Sequence, residues 1–254
     1  MKTVKLLKSF GQTHSAVGIM LHVILLESAL ELIPREITQL KEIQRNASRR
    51  GKKPGELLLD QTHHGRSMTQ LERHERRGRP DIVYLSLMSL LETPLCRQNT
   101  LSVYVHMQDG RIIELASEVR LPRNYNRFIG LFEQLLLVGS VPPDGTPLLR
   151  IMDYDLAQLI TRIGSQSPRV TTALMVEGGH PTSFLDLQSF FLERRETPMI
   201  VGVGAFPHGD FSKRVSELFE TQLRLDSDVM MAWHVCTEVV WAYHGALERA
   251  QHIH

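Results

Sequence analysis

The chain has 254 residues, of which 42% are hydrophobic and 22% charged, the profile of a globular protein able to bury a sizeable core. A formal net charge of +1 excludes a uniformly basic nucleic-acid binder, although it conceals local arginine clusters. Two cysteines, Cys96 and Cys236, exclude a disulfide framework and fit a reducing cytoplasm.

The most apolar region, 17–33, contains His22, Glu27 and Glu31 and stops at Pro34, so neither a membrane span nor a signal peptide is expected. Within it, residues 21–27 form a buried strand pattern, and 29–34 its exit. The stretch 36–50 is helical and charged. It ends in Arg49-Arg50-Gly51-Lys52-Lys53-Pro54, a solvated helix end with the option of a phosphate contact. Leu57-Leu58-Leu59-Asp60 has the character of a short apolar strand, His63-His64-Gly65 of its turn, and Ser67 is placed to cap a helix through Leu71 and Glu75. The paired histidines lack the spacing of a zinc site, and no metal is expected.

Arg79-Pro80-Asp81 precedes an apolar segment, 82–91. Arg79 and Asp81 fit an ion pair at an element boundary, and equally an arginine held by an acid so that it presents donors to a phosphate or base. Residues 101–106 and 112–115 flank Gln108-Asp109-Gly110-Arg111, the clearest hairpin in the chain. Arg120, Arg123 and Arg127 follow, interleaved with Tyr125 and Phe128 and with no acid between them. In a helix they would share a face and repel unless a polyanion lay opposite, which suits RNA with splayed, stacked bases.

A helix continues over 131–138, 141–147 is a loop, and 148–151 and 155–163 follow as strand and helix. The next strand covers 170–176, with 177–181 as its turn, and a helix covers 184–194. Ile200-Val201-Gly202-Val203-Gly204-Ala205-Phe206-Pro207-His208-Gly209-Asp210-Phe211 is then a buried strand running into a glycine turn. In an open α/β sheet ligands bind at such carboxyl ends. Pro207 stands where a dinucleotide fingerprint needs its third glycine, and no Gly-Lys-Ser/Thr follows, so neither nucleotide motif fits. A helix over 213–223, an irregular stretch 225–230 and a last helix 232–248, with Trp233, Val240, Trp241 and Leu247 packed into the core, complete the pattern.

Taken together, Leu57-Leu58-Leu59-Asp60 with His64, Arg79-Pro80-Asp81-Ile82, the arginines at 120, 123 and 127 before Phe128, and Val203-Gly204-Ala205-Phe206-Pro207-His208-Gly209 resemble one family. It is the SPOUT-class ribosome-biogenesis methyltransferases that make 1-methylpseudouridine in small-subunit ribosomal RNA, in an archaeal form. The resemblance runs from near Leu21 to the last helix. It implies one α/β domain over 1–254 with a carboxyl-terminal trefoil knot and a hairpin and arginine-rich extension around 101–128. A cytoplasmic homodimer is implied, with S-adenosylmethionine as cofactor and small-subunit ribosomal RNA as partner.

The resemblance also assigns residues. Leu174, Val176, Gly204, Gly209, Leu225, Asp226, Ser227, Asp228, Val229 and Met230 would contact the cofactor. Arg79, Arg120, Arg123 and Arg127 would bind RNA. For catalysis, Arg79 or Arg123 would stabilise the base anion, and Asp81 would orient Arg79, general-base action being its second option. Two other readings are kept: an assembly factor with little or no catalysis, and a SPOUT methyltransferase of transfer RNA. The segment 226–230 departs from the family's usual Ser-Asn-Tyr-Pro-Leu, and the turn after Val176 is also unusual.

Overall fold

The strand Leu21–Ser28 (β1) carries Leu21, Val23 and Leu25 on one side and Ile24 and Leu26 on the other, all fully buried. Such a run suits only a strand covered on both faces. In the computed structural model, which describes residues 21–165 and 167–251, β1 occupies that place. Residues 17–20 of the apolar region lie outside the described residues. Parallel partners flank β1: Leu101–Met107 (β2) and Met199–Gly204 (β7). Beyond β2 come the antiparallel Ile112–Leu115 (β3), Leu149–Met152 (β5) and Ser140–Val141 (β4). Beyond β7 come the parallel Thr171–Pro181 (β6) and Thr221–Arg224 (β8). The described residues thus form one eight-stranded sheet in the order β4-β5-β3-β2-β1-β7-β6-β8.

Two helical layers cover it. The larger core lies under Pro80–Leu91 (α3), Tyr125–Val138 (α5), Phe184–Glu193 (α7) and Ala232–Gln251 (α9). The opposite face is closed by Leu156–Gly164 (α6) with Val215 and Phe219. Gly202 is required there, since a Cβ on it would lie 2.5 Å from Leu26 Cδ1 and 2.8 Å from Phe219 Cζ. A third cluster joins Lys41–Arg50 (α1) to the residues around Leu57 and Leu59.

Several expectations change. Residues 57–60 are not a strand: Leu57 and Leu59 are buried against Ile37, Ile43 and Met68, and Leu58 makes only an isolated bridge with Leu32. A short apolar run satisfied by packing carries the same pattern as one satisfied by a ladder. His63-His64-Gly65 lies inside the helix Gln61–Met68 (α2), whose cap is Asp60, accepting from the Thr62 N–H at 2.8 Å. Ser67 ends that helix rather than starting one, and its N–H and hydroxyl donate to Glu42.

The glycines at 178 and 179 do not stop β6, which continues to Pro181 through a register shift between Met175 and His180 against β8. The helix expected over 213–223 is only Lys213–Ser216, after which Thr221–Arg224 turns into β8 along the side of β6. Arg120, Arg123 and Arg127 do not share a helix face: α5 begins at Tyr125, capped by Asn124, and Arg120 and Arg123 precede it. Trp241 is 47% exposed rather than packed in the core, while Val240 is buried as expected.

Candidate functional site

Where β7 and β8 end beside the middle of β6, the three neighbouring strands border one cavity of about 510 Å³. Its walls are 175–177 within β6, residues 203–211 from the end of β7 through the glycine turn, and residues between 223 and 235 from the end of β8 into the start of α9. The lining is mixed. Val176, Leu225, Val229 and Met230 are apolar, Glu177, Asp226 and Asp228 bring carboxylates, and Trp233 closes one side. Gly209, at φ +85°, needs the left-handed backbone that glycine alone adopts freely.

Asp226 Oδ1 accepts from the Asp228 N–H at 2.9 Å and from the Ser227 hydroxyl at 3.2 Å, which hold its carboxyl below the usual range. Burial, helped by Asp226, pushes Glu238 up.

Arg79 and Ile82 close the cavity from the other half of the chain. Arg79 also lines a second, open cleft of about 680 Å³ with Gln61, Thr62, Asp81, Tyr84, Leu85 and Tyr125. One guanidinium therefore borders both spaces. Asp81 grips it with two bonds, Nε to Oδ1 at 2.8 Å and Nη2 to Oδ2 at 2.7 Å, and this pairing raises the Arg79 pKa. Pro80 begins α3 with Arg79 as its cap residue, which fixes where the side chain leaves the backbone. Tyr125 donates to Asp60 Oδ2 at 3.1 Å, and burial beside this carboxylate pushes its hydroxyl far up, so it stays neutral. Tyr84 and Tyr125 meet edge to face, ring centres 5.4 Å apart, and give the cleft an aromatic wall.

Most of the predicted cofactor residues border the cavity: Val176, Gly204, Gly209, Leu225, Asp226, Asp228, Val229 and Met230. Leu174 does not. It is fully buried in the core with Leu156, Leu159 and Ile163 of α6, and the cavity lining on β6 begins only at the next residue, Met175. Ser227 is also outside the lining, its hydroxyl turned to Asp226. Of the predicted arginines, Arg79 lines both spaces, whereas Arg120, Arg123 and Arg127 line neither. Arg123 is 80% exposed and pairs with Glu92, yet its carbonyl accepts from the Tyr84 hydroxyl at the cleft. Arg120 folds back on the Val119 and Ser117 carbonyls.

Trp233, at the amino end of α9 beside the glycine turn, lines the site together with Glu177 and Met231; none of the three is among the predicted site residues, and no local motif marks them. The same holds for Arg76 and Glu27, which grip the glycine turn from outside. Among the described residues there is no group of three or more His, Cys, Asp or Glu placed to hold a metal ion, and no helix long and apolar enough to cross a membrane.

Comparison with known proteins agrees with this geometry. The family model described as EMG1/NEP1 methyltransferase matches residues 23–244. A ribosomal RNA small subunit methyltransferase Nep1 of Staphylothermus marinus is 39% identical over 219 residues, 86% of this chain and 92% of the relative. The Nep1 of Thermococcus kodakarensis is 40% identical over 231 residues, 90% of this chain and 99% of its own. The crystal structure of Archaeoglobus fulgidus Nep1 bound to S-adenosylhomocysteine superposes with a TM-score of 0.79 at 33% identity, covering 89% of this chain and 98% of that one. The expected SPOUT-type α/β fold is therefore the observed one.

Proposed function

The chain belongs to the EMG1/NEP1 methyltransferase family, and from that premise we propose that it methylates N1 of a pseudouridine in small-subunit ribosomal RNA during small-subunit biogenesis. The observation that carries this reading is Arg79, held by Asp81 and common to the strand-end cavity and the aromatic cleft. A methyl donor on one side and a target base on the other would meet across it.

The cavity suits S-adenosylmethionine. Its volume lies in the range of cofactor pockets, glycines at 204 and 209 leave backbone exposed, and apolar side chains offer a surface for adenine. Glu177, Asp226 and Asp228 complement the ammonium and sulfonium charges. When bound, S-adenosylmethionine supplies an electrophilic methyl group. The chain's own contribution is placement and charge. Residues 225–230 and the turn 204–209 would fix the donor, and positioning of this kind supplies much of a transfer rate.

The cleft would take a base extruded from its RNA context, held against Tyr84 and Tyr125. As N1 loses its proton, charge develops on the ring carbonyls, and the Arg79 Nη1 remains for them because Asp81 occupies Nε and Nη2. That bidentate grip supports an orienting role for Asp81 over general-base action. Arg120, Arg123 and Arg127, all exposed, would hold the flanking phosphates.

We place this activity in the cytoplasm, in one domain over 1–254. The reading includes a homodimer, supported by Phe184, Leu185 and Trp241, large apolar residues exposed on the packed helices α7 and α9; light scattering of the eluting protein gives its mass. The function is tested by supplying methyl-labelled S-adenosylmethionine and a small-subunit RNA hairpin with uridine or pseudouridine at the target. Label in 1-methylpseudouridine from the second hairpin alone is expected. Label confined to transfer RNA, or bound cofactor with no transfer, would overturn it.

A further inference from the structure

The glycine turn 206–212 extends beyond the end of β7, and a loop of this kind loses much conformational entropy when it is fixed in one shape. Arg76 fixes it from outside. Its guanidinium lies over the Phe206 ring, 3.8 Å from the centre. Nη1 donates to the carbonyls of Asp210 at 2.5 Å and His208 at 3.4 Å, on either side of Gly209. Nη2 donates to Glu27 Oε2 at 2.8 Å, and the Glu27 carboxylate accepts in turn from the Ser212 N–H at 3.2 and 3.3 Å.

The two side chains are only 13% and 12% exposed. Glu27 sits at the end of β1 with φ +47°, a left-handed conformation that costs a non-glycine residue energy and persists only when its surroundings enforce it. Its N–H donates to His106 Nδ1 at 3.3 Å, and the Arg76 carbonyl accepts from Gln108 Nε2 at 2.6 Å, so both halves of the clamp are anchored on the sheet side. Phe206, His208 and Asp210 border the strand-end cavity, whereas Arg76 and Glu27 do not.

We infer that Arg76, oriented by Glu27, is a positioning residue for S-adenosylmethionine, presetting the backbone of 206–210 in the shape that receives it. The inference rests on the assignment of the cavity to the cofactor. Only a guanidinium meets the demand, because it stacks on a ring while forking to two carbonyls and a carboxylate; an ammonium is a single point charge. A loop left in the receptive shape about a tenth of the time would raise the apparent dissociation constant about tenfold.

The test is calorimetry with S-adenosylhomocysteine on wild type, Arg76→Ala, Arg76→Lys and Glu27→Gln, with the tryptophan fluorescence change that Trp233→Phe removes as the marker of the cavity. Arg76→Ala and Arg76→Lys are expected to bind about tenfold more weakly, and Glu27→Gln less so. KM for S-adenosylmethionine should rise in step while kcat at saturating cofactor and RNA affinity stay near wild type. Cofactor binding unchanged in Arg76→Ala overturns the inference, as does a parallel loss of RNA and cofactor binding in both Arg76 variants. Binding by wild type with no Trp233 response overturns the cavity assignment instead, and the inference with it.

Discussion

Glu133 lies on α5 with no exposed surface, and its two oxygens accept four bonds. Arg50 gives two, at 2.6 and 2.9 Å, Lys52 gives one at 2.7 Å, and the Leu58 N–H gives one at 3.1 Å. Replacing it by alanine strips all four donors. Removing one partner of a buried ion pair costs ~3–5 kcal/mol. Arg50 and Lys52 are 32% and 34% exposed, so both can turn to water, which places the loss at the lower end, about 3 kcal/mol. In a chain of this size each kcal/mol lowers Tm by ~2–4 °C, so the melt should fall by roughly 6–12 °C. Glu133→Gln keeps an acceptor for Leu58 and should lose about half as much. Urea unfolding followed by circular dichroism, with Tm from calorimetry, measures both. A loss below about 1 kcal/mol for Glu133→Ala would refute the reasoning, since the carboxylate would then behave as a surface group.

Arg123→Ala removes only an exposed pair with Glu92, so stability should move by less than ~0.5 kcal/mol. RNA affinity in a filter assay should fall, with the salt slope reduced by about one phosphate contact, and cofactor binding should persist; unchanged RNA affinity would count against the phosphate-holding role. Gly202→Ala should destabilise by ~1–3 kcal/mol through the contact with Leu26 and Phe219, seen as a lower urea midpoint. His22 and His64 are held at about 4 by burial, against 6.5 when exposed. Below pH 6.5 the unfolded chain therefore binds protons that the folded one refuses. Stability is full above that value and falls as pH drops toward 4, by about 2 kcal/mol per histidine at pH 5. A urea midpoint flat from pH 7 to 5 would contradict this.

The parts of this fold visible in the sequence are those where one local cause acts alone. β1 is apolar on both sides because it is central, and Asp109-Gly110 dictates its hairpin whatever surrounds it. The misreadings occur where a distant partner decides. Leu57 and Leu59 are buried by α1 and α2 rather than by a ladder. Thr221–Arg224 is a strand because β6 offers an edge, and β6 runs past two glycines because β8 lies beside it. The site divides in the same way. Gly204 and Gly209 announce themselves by type, and Arg79 by its proline and acid. Arg76, three residues earlier in the same basic run, is distinguishable from its neighbours only by the loop it grips some 130 residues further on, at His208 and Asp210.

The place of β1 between β2 and β7 has a consequence for synthesis. Its partner on one side is made soon after it, but the other arrives only with Met199. Until then a nascent chain holds its most apolar strand with one edge bare, the arrangement most open to pairing with another chain. The pairings are also of high sequence separation, which slows their formation. The protein is thus most vulnerable while it is being made, and a chaperone shielding the β7 side of β1 would matter more to its yield than to the finished enzyme.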